Sequence, residues 1–81
     1  MIYCVEDDDS IRDLMLYTLK ASGFQGQGFS EAESFWQALA KEKPELVMLD
    51  VMLPREDGIS IWKKLRGNGA TAGIPVIMAT A

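Results

Sequence analysis

The chain has 81 residues, 12 of them acidic and eight basic, with no histidine and one cysteine, for a net charge of −4. That length allows one small domain, and the acidic balance argues against a nucleic-acid-binding surface on this chain. No stretch approaches the ~20 consecutive apolar residues of a membrane span, and without a basic leader or a second cysteine the expected location is the reducing cytoplasm.

Met1 to Val5 is apolar and rich in strand formers, so a buried strand opens the chain, with Cys4 as a small core residue. It ends abruptly in Glu6-Asp7-Asp8-Asp9. Asp8 or Asp9 can cap the next helix by accepting from its free N–H groups, which leaves Glu6 and Asp7 without a structural task. Ile11, Leu14, Met15, Thr18, Leu19 and Ser22 recur at helical spacing and predict the buried stripe of that helix, with Arg12, Asp13 and Lys20 off it. Gly23 is placed to stop it in the left-handed conformation. Phe24 to Phe29 alternates weakly, with Gly26 and Gly28 on one parity, and reads as a short edge strand.

Ser30-Glu31-Ala32-Glu33 has the pattern of a capping box, opening a helix with Ala32, Phe35, Trp36 and Leu39 on its buried face. Pro44 shows where that helix has ended. Leu46-Val47-Met48-Leu49 then runs straight into Asp50, the pattern of a central strand buried on both faces, roughly Glu45 to Leu49. Pro54-Arg55-Glu56-Asp57-Gly58 is loop chemistry, and Asp57 or Gly58 can cap a third helix whose buried face is Ile59, Trp62 and Leu65. Lys63, Lys64 and Arg66 read as its solvated side. Gly67-Asn68-Gly69 ends it, and Ile74 to Ala79 is a fourth strand closing on Thr80-Ala81.

Strands alternating with helices predict an α/β fold with a parallel sheet and right-handed crossovers. In such sheets ligands bind outside the carboxyl ends of the strands. The first strand delivers Glu6 and Asp7 to that edge, the third Asp50 and the fourth Thr80. With those strands adjacent, three carboxylates converge, and two unit charges 4 Å apart repel by roughly 4 kcal/mol at an effective dielectric of 20. The cluster must take up protons or a cation. An all-oxygen set suits a hard divalent ion, magnesium first and manganese or calcium next, which reaches out to a phosphoryl group. Neither Gly26-Gln27-Gly28 nor Gly67-Asn68-Gly69 precedes a helix as a phosphate-binding loop does.

The motifs Val5-Glu6-Asp7-Asp8, Leu49-Asp50-Val51-Met52-Leu53-Pro54 with Asp57-Gly58, and Ile74 to Ala81 resemble the receiver domains of bacterial two-component response regulators, with the texture of those carrying winged-helix DNA-binding outputs. The resemblance covers the whole chain. It implies a flavodoxin-like doubly wound sheet with strand order 2-1-3-4. It also implies Asp50 as the phosphoacceptor for a phosphohistidine on a sensor histidine kinase. Asp7 would bind Mg2+ directly, Glu6 through water and Met52 through its backbone carbonyl. Thr80 would hydrogen-bond the phosphoryl group and report the phosphorylated state, assisted by the Ala81 N–H. The module would act on itself only, promoting its own phosphoryl transfer and dephosphorylation, and is not otherwise an enzyme.

The pattern departs from the family in one respect. Residues 1–81 correspond to a partial receiver domain, lacking the fourth helix, fifth strand and fifth helix, and with them the lysine that pairs with the phosphoryl group. Lys63 and Lys64 are poor substitutes. An uncovered sheet edge and face would then favour self-association. Two other readings stay open: a pseudo-receiver that serves as an interaction module without being phosphorylated, and a phosphohydrolase with an aspartyl nucleophile. Against the latter, such enzymes place a second acid two residues on, where this chain has Met52.

Overall fold

The computed structural model describes residues 1–79. Strands span Ile2–Val5 (β1), Gly26–Phe29 (β2), Leu46–Asp50 (β3) and Val76–Ala79 (β4). Helices span Asp9–Ala21 (α1), Ala32–Lys41 (α2) and Gly58–Gly67 (α3). Every strand pair is parallel and the order is β2-β1-β3-β4, the doubly wound arrangement expected from the sequence. No helix among the described residues is long and apolar enough to cross a membrane.

Two of the three continuous apolar runs, β1 and β3, take the central positions, where both faces of a strand are covered. Tyr3, Val5, Val47 and Leu49 point to one side of the sheet and pack with Phe35 and Leu39 of α2 and Ile61 and Leu65 of α3. Tyr3, Phe29 and Phe35 meet edge to face, with ring centroids 5.1–6.2 Å apart. The Tyr3 hydroxyl reaches the rim of this core and donates to the Glu42 carbonyl at 2.7 Å. Cys4 points to the other side, fully buried, its Sγ 4.0 Å from Met48 Sδ.

That other side belongs to α1, and here the expected stripe is rotated. Leu14 is 64% exposed, Ile11 43%, and no α1 residue is buried. Arg12, Met15, Leu16 and Leu19 are the half-buried ones. The cause lies on β2: a Cβ added at Gly28 would meet the Arg12 stem and Leu16, and one at Gly26 would meet Leu16 and Leu19. The glycines leave a groove that the Arg12 methylenes fill while its guanidinium stays polar, donating to the Glu6 carbonyl at 2.8 Å and pairing with Asp9.

Helix ends follow the sequence in part. Asp8 caps α1, its side chain accepting from Ile11 N–H at 2.9 Å. Gly23 at φ 88° stops it, with Gly23 N–H donating to Lys20 O and Phe24 N–H to Leu19 O, the paired bonds of a Schellman ending. Phe24 is thereby turned outward and β2 starts later than expected, at Gly26. The capping box before α2 does not form. The helix starts at Ala32 behind Glu31, which makes no side-chain cap bond, so Ser30 stands one residue too early. On α3 the buried face is Gly58, Ile61 and Leu65, while Ile59 is 46% exposed and Trp62 half-buried.

Candidate functional site

The sheet register builds the site. Val5 of β1 pairs with Leu49 of β3, which sets the residues that follow them, Glu6 and Asp50, side by side. Asp50 in turn pairs with Ala79, so the end of β4 lies on the same rim. Thr80 and Ala81 lie outside the described residues.

One carboxylate oxygen from each of Glu6, Asp7 and Asp50 falls within 4.8 Å of the others, with Glu6 and Asp50 buried and Asp7 exposed. At that separation each charged pair costs about 3.5 kcal/mol at an effective dielectric of 20. Among the described residues no salt bridge reaches any of the three. Burial foremost, then Asp50 and Asp7 beside it, push the Glu6 carboxyl above its ordinary value, against the lowering effect of the Asp8 N–H it accepts at 3.2 Å. The donor set is all oxygen, closely spaced and open on the Asp7 side, which fits a hard divalent cation that keeps part of its water shell. A depression of about 540 Å³ opens beside it, lined by Asp7, Met52, Pro54, Asp57 and Ile59 among others.

The segment after Asp50 is fixed at both ends. Asp50 Oδ1 accepts from Met52 N–H at 3.1 Å, and the Met52 side chain is 79% exposed beside the acids. Gly58 N–H donates to Val51 O at 3.0 Å, and Asp57 caps α3 by accepting from Ser60 N–H at 2.8 Å. A Cβ on Gly58 would overlap the Asp50 carbonyl oxygen and come within 3.0 Å of Val51 Cα. Only glycine lets α3 start this close to the backbone that carries Asp50. The sequence marked Gly58 as a cap; its role as a close-approach residue depends on a contact across the loop.

Sequence reasoning placed Glu56 in a loop and Trp36 on a buried helix face, and missed the bond between them. Glu56 accepts from Trp36 Nε1 at 2.8 Å and Ser60 Oγ at 3.1 Å and pairs with Lys64. The spacing of Glu56, Ser60 and Lys64, four residues apart along one helical line, was the available signal for part of this set. Lys64 is thus committed away from the acid cluster, and Lys63 is exposed on α3.

The profile of the response regulator receiver domain family matches residues 2–81. The transcriptional regulatory protein GltR of Pseudomonas aeruginosa is 44% identical over 80 residues, 99% of this chain and 33% of that protein. The alkaline phosphatase synthesis transcriptional regulatory protein PhoP of Bacillus subtilis is 40% identical over 80 residues, 99% of this chain and 32% of that protein. The chain therefore spans about a third of the length of these curated relatives. The N-terminal domain of a response regulator receiver protein from Methanoculleus marisnigri JR1 superposes with a TM-score of 0.89 at 31% identity, covering 95% of this chain and 63% of that one. The signal receiver domain of a signal transduction histidine kinase from Syntrophus aciditrophicus gives 0.93 at 28% identity, covering 98% and 60%. With a four-strand order, an acidic rim and a family profile in agreement, the chain belongs to the response regulator receiver domains of two-component signalling systems.

Proposed function

We propose that residues 1–81 carry the phosphoacceptor site of a response regulator, with Asp50 taking a phosphoryl group from the phosphohistidine of a sensor histidine kinase in the cytoplasm. The observation that supports this most is the trio Glu6, Asp7 and Asp50 at the carboxyl rim of the sheet, which no salt bridge reaches among the described residues, with a depression beside it. An Asp50 carboxylate oxygen attacks phosphorus, the P–N bond breaks, the imidazole leaves with its electron pair, and an acyl phosphate remains. Asp7, Glu6 through water, Asp50 and the Met52 carbonyl would hold Mg2+, which when bound neutralises charge on the phosphoryl oxygens. The Met52 N–H, bonded to Asp50 Oδ1, would orient the carboxylate and leave its other oxygen for the attack. Thr80 would donate its hydroxyl to the phosphoryl group and, with the Ala81 N–H, register its arrival. The domain's own chemistry is confined to its own phosphorylation and dephosphorylation. The relatives' names point to transcriptional control as the output.

Labelled acetyl phosphate with Mg2+ should place label on Asp50 of the full-length protein, and Asp50→Asn should abolish it. Label that persists in that variant moves the acceptor elsewhere, and a wild-type protein that takes none is a pseudo-receiver. The same reading includes weak self-association at the β4 edge, where Ile77 is 50% and Met78 38% exposed. Sedimentation at rising concentration checks it, and a constant monomer mass removes it.

A further inference from the structure

The loop between β3 and α3 is anchored near Asp50 and at Gly58, and its middle is tied to both neighbouring helices by one carboxylate. Glu56 Oε1 accepts from Trp36 Nε1 of α2, Oε2 accepts from Ser60 Oγ of α3, and Lys64 Nζ pairs with the same group. Trp36 is itself fixed, its ring 5.0 Å from that of buried Phe35 and 6.0 Å from Lys64 Nζ. The residue just before, Arg55, stands at φ 67° in a tight turn closed by Glu56 N–H donating to Pro54 O at 2.8 Å. A non-glycine residue holds that conformation only where its surroundings over-determine it.

A solvated loop glutamate needs no partners, and this one has three from two helices. Burial pushes its carboxyl up, yet the hydrogen bonds from Lys64, Trp36 and Ser60 outweigh that and hold it below its ordinary value. Glu56 is not one of the clustered acids, so whatever it does at Asp50 it does through the loop.

We propose that Glu56 is a positioning residue for phosphoryl transfer at Asp50: by bracketing the loop between Trp36 and Lys64, it fixes the backbone that presents the Met52 N–H to Asp50 and seats Gly58 against the Asp50 carbonyl. This rests on the phosphoacceptor reading of Asp50. The bracket matters because transfer depends on placement, and a shift of about 1 Å in a reacting group is worth up to ~100-fold in rate. Trp36 extends the bracket to α2, which otherwise has no hydrogen bond to this loop among the described residues.

The test compares full-length wild type with Glu56→Ala, Glu56→Gln and Trp36→Phe, by amide exchange and by initial phosphorylation rate with acetyl phosphate. Glu56→Ala should speed exchange at Met52 and Gly58 about tenfold while Val5 and Leu49 stay unchanged, and slow phosphorylation about tenfold. Glu56→Gln keeps an acceptor for the indole N–H and should recover most of both, and Trp36→Phe should follow Glu56→Ala in direction. Equal acceleration at Val5 and Leu49 would mean a general loss of stability and would overturn the proposal, as would either effect appearing without the other. A wild-type protein without label on Asp50 ends the phosphoacceptor reading and the catalytic half of this one, while the exchange rates still decide whether Glu56 holds the loop.

Discussion

On the α2–α3 side of the sheet, Tyr3, Val5, Val47 and Leu49 are at most 1% exposed and meet Phe35, Ile61 and Leu65 at the same level, whereas α1 on the other side buries none of its residues. Among the described residues the sheet thus carries a dense layer and a thin one. The acids at the rim draw on both. Asp50 continues into a loop pinned to the dense layer through Leu53, Glu56 and Gly58. Glu6 and Asp7 lead into α1, held to it through the Arg12 bond to the Glu6 carbonyl. Asp50, proposed both to carry phosphorus and to share the cation, therefore leads into the densely packed side, while Glu6 and Asp7, the other acids proposed to hold the cation, lead into the α1 side.

The contrast breaks most easily at its largest contact. Phe35→Ala should lower unfolding free energy by about 3–5 kcal/mol, and Leu14→Ala, on an exposed α1 residue, should change it by no more than about 0.5 kcal/mol. Denaturant titration measures both, and comparable losses would show that the two layers are not different in kind. Glycine substitutions sharpen the same point. Gly58→Ala presses on backbone and should cost about 1–3 kcal/mol together with phosphorylation at Asp50. Gly28→Ala presses on side-chain atoms, the Arg12 methylenes and a Leu16 methyl, where Gly58→Ala presses on backbone, and should cost less than Gly58→Ala. A Gly28→Ala loss as large as that of Gly58→Ala would contradict a yielding α1 layer.

The smallest effect is in the pH dependence. The folded pKa of Glu6 is raised, chiefly by burial and then by Asp50 and Asp7, so its contribution to stability is full below the ordinary carboxylate value and lost as pH rises through the folded value. For Glu56 the folded pKa is lowered, so its contribution is present above the ordinary value and lost as pH falls through the folded one. In chelator, stability should rise as pH drops through the folded pKa of Glu6 to the ordinary carboxylate value and fall again in more acid solution. Glu6→Gln should remove the first limb and Glu56→Gln should flatten the second. Limbs that ignore these substitutions would assign the titrations to other groups.

The strand order and the convergence of Glu6, Asp7 and Asp50 were legible because they follow from apolar runs ending in acids on a parallel sheet. Gly23 and Asp8 were legible because caps are local chemistry. The rotation of α1 was not, because it depends on Gly26 and Gly28 in a different element leaving room for an arginine stem. Ile59 was taken for core in place of Ile61 because two apolar lines run along α3, and the seating of Gly58 against Asp50 selects between them. The Trp36–Glu56 bond joins residues 20 apart through an unusual turn, and no periodicity reports such a pairing.

Cys4 adds one consequence. Its thiol is fully buried beneath the thin layer, and burial pushes it up to about 11, so at neutral pH it is both protonated and out of reach of alkylating reagents. As the only cysteine in the chain, it works as a tamper seal: the pace at which iodoacetamide consumes it clocks how often α1 lifts from the sheet.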